Sequence, residues 1–271
     1  MSHWYGKGGE PMHEVPNASK PGLMRATTVR DARKLGLWPS VTTVQKTLAK
    51  GMMLDEWLID QALYAALVHP KGFPRCTLQE DGSVSFKDPE FVAWAKQCKA
   101  DARAQVQVKA ERGSILHDMM MRAHHAYDTV PPQYLAHVDG MFEMLHARFG
   151  TRQWIAEGSF CNTELGFGGS IDLRTLPDDP DPIILDYKFK EFDDTKKASY
   201  FIYDEHRMQL GGYSIGPGDY TKARLFNAFG SITEPGLVLI HEHSAEDAQY
   251  GRDLFLATLR VWQTQNGYAP K

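Results

Sequence analysis

Apolar residues recur with helical spacing in the first half of the chain and collect into short runs in the second. Within residues 54–68, Leu54, Trp57, Leu58, Ala62, Ala65 and Ala66 follow one face of a 3.6-residue period. Residues 89–127 carry a long helical pattern with a break expected near Gly113, and Pro131-Pro132 stops it. Another helix is predicted over 133–149. Ahead of these, Pro39-Ser40-Val41-Thr42-Thr43 opens a short periodic stretch that ends at Leu48. A Ser or Thr hydroxyl there can satisfy an orphan amide at a helix start. Residues 70–90 hold Pro, Gly and Asp breaks and predict a loop. Residues 1–38, rich in Gly and Pro with little periodicity, predict an irregular arm.

The second half reads differently. Strands are predicted over 154–160, 169–176 and 183–189, then a helix over 197–215. Strands over 224–229 and 237–241 follow, and a closing helix over 245–265. This order implies an α/β fold, a mixed central sheet flanked by helices, with a helical N-terminal annex. The expected organisation is an arm (1–38), an annex (39–150) and a core (151–271), the last two forming one integrated domain.

Composition narrows the class. The chain has 271 residues, 42% hydrophobic and 24% charged, long enough for a sizeable core. No run of about eighteen apolar residues exists, so no membrane partner is expected. Met1 to Gly9 is polar and unlike a secretory signal. Cys76, Cys98 and Cys161 are scattered and form no CxxC pair, which fits a reducing cytoplasm. A net charge of -4 leaves room for nucleic acid only through a local basic surface. One such stretch exists: Lys20, Arg25, Arg30, Arg33, Lys34, Lys46 and Lys50 against a lone Asp31.

The chemistry concentrates at Asp186-Tyr187-Lys188. That triplet closes the apolar run Ile183-Ile184-Leu185, so its charges stand at the end of a buried strand and need a reason. Asp186 and Lys188, two apart, share one strand face. Asp172 precedes them across the turn-rich Pro177-Asp178-Asp179-Pro180-Asp181-Pro182, embedded between Ile171 and Leu173. Two carboxylates and an ammonium brought together suit metal-assisted phosphodiester hydrolysis, with Mg2+ or Mn2+ held by oxygen ligands. Gly168-Gly169 lets a backbone or ligand approach closely. His241-Glu242-His243 could form a metal pair, but without a third ligand in sequence reach a solvated strand end is the expectation.

Three segments in order resemble a known series. Gly169-Ser170-Ile171-Asp172, Asp186-Tyr187-Lys188 and Gln209-Leu210-Gly211-Gly212-Tyr213 are similar to the motifs of RecB-type nucleases of the PD-(D/E)XK superfamily. Gly113-Ser114-Ile115-Leu116-His117 resembles that branch's upstream helix. Pro39 to Val44 resembles a segment of its phage and mitochondrial exonucleases. The resemblance implies a restriction-endonuclease-like fold. It implies that His117, Asp172 and Asp186 bind the metal, with the Tyr187 carbonyl as a further ligand, and that Lys188 is catalytic. Gln209 and Tyr213, four apart on one helix face, would position Lys188 or a DNA phosphate. Glu157 on the preceding strand would orient Lys188 or a second metal. With three cysteines the chain departs from relatives that carry an iron–sulfur cluster, so none is expected.

The expected activity is therefore that of a divalent-metal-dependent DNA exonuclease of phage recombination, replication or repair, acting in the cytoplasm of a bacterium or phage-infected host. A structure-selective or restriction-like endonuclease, and a non-catalytic DNA-binding subunit, are the alternatives. Ser40, Thr42, Thr43, Lys46, Arg33, Lys34 and Arg112 are the candidate DNA contacts, and Trp38 a candidate stacking platform. No base-reading motif is visible, so binding would be electrostatic and salt-sensitive. These readings leave room for a single-strand annealing or other recombination partner, and for an oligomer.

Overall fold

The computed structural model describes residues 3–48, 52–69, 72, 80–82, 87–218 and 220–270. The expected irregular arm is instead built of short elements. Strands β1 (Trp4–Tyr5), β2 (Glu14–Pro16) and β3 (Met24–Ala26) lead into helix α1 (Val29–Leu35) and strand β4 (Trp38–Pro39). β1 pairs antiparallel with β4, and β2 with β3. Thr28 and Asp31 form a reciprocal capping box on α1, and Gly36 ends it at φ 65. Strands of two or three residues are too short to carry a period, which is why the sequence reads as irregular. Trp4 anchors the segment: its ring is fully buried, edge-on to Trp262, and its indole donates to the Thr27 carbonyl at 3.0 Å.

Helix α2 (Val41–Gln45) follows, then α3 (Met52–Leu67), α4 (Pro89–Ala126) and α5 (Pro132–Phe149). α4 runs 38 residues straight through Gly113, where a break was expected. One glycine costs a helix only about 1 kcal/mol, too little to stop one this long. The predicted loop over 70–90 lies mostly outside the described residues. The chain's internal contacts divide it into two compact units, residues 49–114 and residues 1–48 with 115–271. The boundaries therefore fall at 48 and 114, not at 38 and 150. α4 belongs to both units, and His117 lies in the larger one. In the smaller unit Ala65, Cys98 and Ala102 bury together, with Ala66 and Trp94 packed on them.

The larger unit holds the sheet: β5 (Trp154–Asn162), β6 (Phe167–Thr175), β7 (Ile183–Lys190), β8 (Arg224–Ser231) and β9 (Val238–Glu242), in that spatial order. β7 and β8 are parallel and the other neighbours antiparallel. Helices α6 (Asp204–Ser214) and α7 (Ala245–Asn266) complete the unit. The fold is thus α/β, with a mixed five-stranded sheet and flanking helices. α6 starts seven residues later than its predicted position at 197, because residues 198–201 form a separate 3-10 turn.

β7 occupies the middle of the sheet and is apolar on both sides. Ile184 packs into one core with Met208 and Leu210 of α6 and Phe255 of α7. Ile183, Leu185 and Tyr187 face the other, with Met141 and Leu145 of α5 and Met120 of α4. Burying one such aliphatic contributes roughly 1.5–3 kcal/mol. α6 and α7 cross closely: a Cβ on Gly251 would stand 2.0 Å from the Arg207 carbonyl, and one on Gly211 2.3 Å from the Gly251 backbone. Only glycines permit that approach.

Candidate active site

Asp172, Asp186 and Lys188 come together where β6 and β7 part. The β6–β7 register pairs Leu173 with Leu185 and Arg174 with Ile184. Extended by one, it would set Asp172 opposite Asp186. Backbone pairing stops there, and the Asp172 carboxylate accepts the Tyr187 N–H at 2.9 Å. Alternation slips at the same point: Ile171 packs in the α6–α7 core, Leu173 in the α4–α5 core. The neighbouring strand is unusual too. Glu157, which the β5–β6 register sets opposite Asp172, has φ 50, the sole positive value at a non-glycine among the described residues. L-residues pay for that left-handed backbone with steric strain.

Each carboxylate has a basic partner. His117 Nε2 of α4 lies 3.0 Å from Asp172 Oδ2, and Lys188 Nζ 2.6 Å from Asp186 Oδ2. The Asp186 side chain is 1% exposed, that of Lys188 28%. Burial pushes Asp186 up to about 6; Lys188 pulls it down and Asp172 adds to the rise. Burial opposes charge on Asp172 as well, yet the His117 hydrogen bond and charge, with Lys188 and the Tyr187 N–H, hold it below the ordinary carboxylate value. Burial also disfavours the charged forms of Lys188 and His117. Asp186 and Asp172 outweigh it and raise Lys188, and the Asp172 hydrogen bond and charge raise His117. The cluster is thus two adjacent acid–base pairs, His117 with Asp172 and Lys188 with Asp186, each favouring its charged form over burial or sharing a proton against it.

α6 closes one side. Gln209 and Tyr213 are both buried, and Gln209 Nε2 donates to Tyr213 Oη at 3.0 Å. Burial, then the charges of Asp172 and Asp186, hold the Tyr213 phenol well above its usual value. His206, one turn earlier, is buried and depressed to about 3, first by burial and then by Lys188 and Lys190. Tyr5 of β1 is raised to about 12 by burial, Glu157 and Asp172. β1 packs against β6, the strand that carries Asp172. Tyr187 turns its ring into the α4–α5 core, where its hydroxyl meets His124 Nε2 at 3.0 Å.

Asn227 is a site residue that sequence reasoning missed. On β8 it is paired in register with Asp186, fully buried, and donates Nδ2 to Asp186 Oδ2 at 2.8 Å. Its Oδ1 lies 2.8 Å from His243 Nε2. An asparagine amid Leu225, Phe226, Ala228 and Phe229 was the available signal, since a polar group in an apolar strand needs a partner. His241 and His243 also depart from expectation. They are not a solvated strand end: His243 is 5% exposed, and Asp247 brings a third donor, all three ligand atoms lying within 4.8 Å of one another.

The expected DNA contacts scatter. Ser40 and Thr43 are buried, not phosphate-facing. Ser40 caps α2 by accepting the Thr43 N–H, and Thr43 Oγ1 bonds the His3 backbone. Thr42 is half-buried with its hydroxyl 3.0 Å from that of Ser40. Arg33 donates to the Asn266 carbonyl at the end of α7, so its guanidinium serves the fold. Arg25 is consumed by a bidentate pair with Asp31. Lys34 and Lys46 are exposed; Arg112 is exposed in the smaller unit. Trp38 is 5% exposed and presents no open stacking face.

The donor set suits a hard divalent cation: two carboxylates and an imidazole converge, and each carboxylate is already balanced by a cation that an ion can replace. Among the described residues no helix is long and apolar enough to cross a membrane. No family model and no curated protein matches the chain. Among solved structures it is similar to one described as the crystal structure of SSO0001, at 18% identity over 82% of this chain and 91% of that one, with a TM-score of 0.30. A likeness at that score carries no argument.

Proposed function

We propose that the chain is a divalent-metal-dependent deoxyribonuclease of the PD-(D/E)XK type, an exonuclease of the RecB branch. One observation carries the reading: Asp172 and Asp186 stand side by side at the parting of two central strands, with Lys188 on the Asp186 strand and His117 delivered by α4. Buried charges are retained against a desolvation cost of several kcal/mol per ion, which a purely structural role rarely justifies. The ordered motifs ending in Gln209 and Tyr213 support it further.

Asp172, Asp186 and His117 would hold Mg2+ or Mn2+. When bound, such an ion supplies Lewis-acid stabilisation of a phosphodiester and a nucleophilic water near neutral pH. The chain's own groups do the rest. Lys188, held protonated, acts as a cation: it orients the attacking water and offsets charge accumulating on the phosphoryl oxygens. Tyr187 N–H fixes one oxygen of Asp172, and Asn227 one of Asp186, so both carboxylates keep a set orientation. Gln209 and Tyr213 wall the site and offer hydrogen bonds to a phosphate.

End-labelled linear single- and double-stranded DNA, and the same molecules circularised, test this with Mg2+, Mn2+ and chelator. Metal-dependent loss of label from linear DNA, with circles spared, is the expected result. Cleavage of circles at the same rate would replace the exonuclease with an endonuclease. No cleavage of any substrate would sink the nuclease reading.

A further inference from the structure

We propose that His241, His243 and Asp247 form a second metal site, selective for a zinc-class ion, at the other end of the Asn227 amide from Asp186. It does not rest on the nuclease reading. His241 and His243 are two apart, so their side chains leave the end of β9 on one face. Ser244 then caps α7, and the turn brings Asp247 back onto that face. The imidazoles meet edge to face at 4.8 Å between centroids. The three donor atoms lie within 4.8 Å of one another; a tetrahedral zinc holds such donors about 3.4 Å apart, so side-chain rotation of about an ångström closes the set.

Two buried nitrogens without hydrogen-bond partners point to a ligand. They are His241 Nε2 and His243 Nδ1. The tautomer of His243 follows from its neighbours. Asn227 donates its Nδ2 to Asp186, which accepts only, so its Oδ1 must face His243. His243 Nε2 therefore carries the proton and donates it, leaving a lone pair on Nδ1 inside the protein. A metal-bound histidine needs that arrangement: one nitrogen on the ion, the other N–H anchored to a fixed acceptor. An orphaned buried lone pair is costly otherwise.

Local charge permits a cation. Asp247 accepts from Arg207 Nε at 2.7 Å and from Ser244 Oγ, and Arg207 also pairs with Asp204. Two carboxylates against one guanidinium leave a net single negative charge. Each Asp247 oxygen retains a further lone pair. Two imidazoles and one carboxylate suit Zn2+ and its neighbours better than Mg2+, which prefers a mainly oxygen shell such as the two carboxylates and waters of the first site. The two sites would thus take different ions while sharing Asn227.

The test titrates Zn2+ into chelator-stripped full-length protein against a chromophoric competitor, in excess Mg2+, with Co2+ absorption in the visible reporting coordination. His117→Ala/Asp172→Asn removes competing binding at the first site. One Zn2+ per chain is expected in that background, weakened at least about 100-fold by His243→Ala. Should His243→Ala fail to fold, His241→Ala and Asp247→Asn, at half-buried positions, replace it with the same expectation. No Zn2+ bound in the His117→Ala/Asp172→Asn background would overturn the proposal. So would binding unchanged by His241→Ala and Asp247→Asn.

Discussion

The β6–β7 parting and the β9–α7 corner share one amide, that of Asn227, and treat buried polarity in opposite ways. At the first, both aspartates face a basic group: His117 on Asp172 at 3.0 Å, Lys188 on Asp186 at 2.6 Å. At the second, a buried imidazole and a half-buried one meet, and His243 is pushed down to about 4 by burial first and His241 second. Charges are thus paired at one and lone pairs left open at the other. A paired cluster folds by itself and waits for substrate; an open one carries a desolvation cost that a ligand would relieve. Buried polar groups alone therefore do not mark a metal site. Their state of pairing separates a cluster whose charges are satisfied within the fold from one whose buried nitrogens lack a partner.

The most severe way to break the first region is Lys188→Ala. In the proposed mechanism it removes the cation that would face the reacting phosphate. Under the proposed function, metal-dependent turnover falls by at least about 100-fold, as for loss of one transition-state donor. Binding of the same DNA, followed by fluorescence anisotropy in chelator, stays within a few-fold. If binding and turnover fell together, Lys188 would be a binding residue rather than a catalytic one. Zn2+ affinity at the second region should not move.

Asn227→Ala attacks the shared amide instead, and separates a linked pair from two independent ones. It leaves His243 Nε2 without its acceptor and takes the amide donor from Asp186 Oδ2, which keeps only Lys188, in a fully buried place. A buried group left without its partner costs about 1–3 kcal/mol, so a stability loss on the order of 2 kcal/mol is expected by chemical denaturation. Zn2+ affinity should drop about 10-fold, as when a ligand's outer hydrogen bond is removed. A loss of stability with unchanged Zn2+ affinity would show that the amide serves the first region alone.

The two regions were unequally legible in the sequence. Ile183-Ile184-Leu185 announced a central strand because uninterrupted aliphatics suit a strand buried on both faces. The charges behind them then stood out, and so Asp186, Lys188 and Asp172 could be named. The β9–α7 corner could not be assembled that way. Its third donor arrives through a strand-to-helix turn, and Asn227 through a parallel pairing between strands 41 positions apart. Neither spacing has a local period. Ser40 and Thr43 misled for a related reason: a hydroxyl that caps a helix and one that meets phosphate have the same sequence signature. Only burial distinguishes them. The first 38 residues concealed their role because Trp4 packs on Trp262 near the far end of the chain and β1 packs on β6, the strand of Asp172.

Glu157 offers the finest division, between strain and charge within the first region. Its φ of 50 puts a side-chain-bearing residue where glycine is at ease, directly across from Asp172. The left-handed backbone costs roughly 1–2 kcal/mol. Glycine's greater freedom in the unfolded chain offsets about 0.4–1 kcal/mol of any gain. Glu157→Gly should therefore raise stability by up to about 1 kcal/mol, whereas Glu157→Gln keeps the strain and leaves the melting temperature within a degree or so. Activity sorts the remaining question. If the carboxylate acts on Lys188 or an ion, both variants lose turnover equally despite their different stabilities. If the strained backbone is what holds Asp172 in place, only Glu157→Gly loses it. A Glu157→Gly protein no more stable than Glu157→Gln would remove the strain argument, and with it the reason to treat β5 as part of the site.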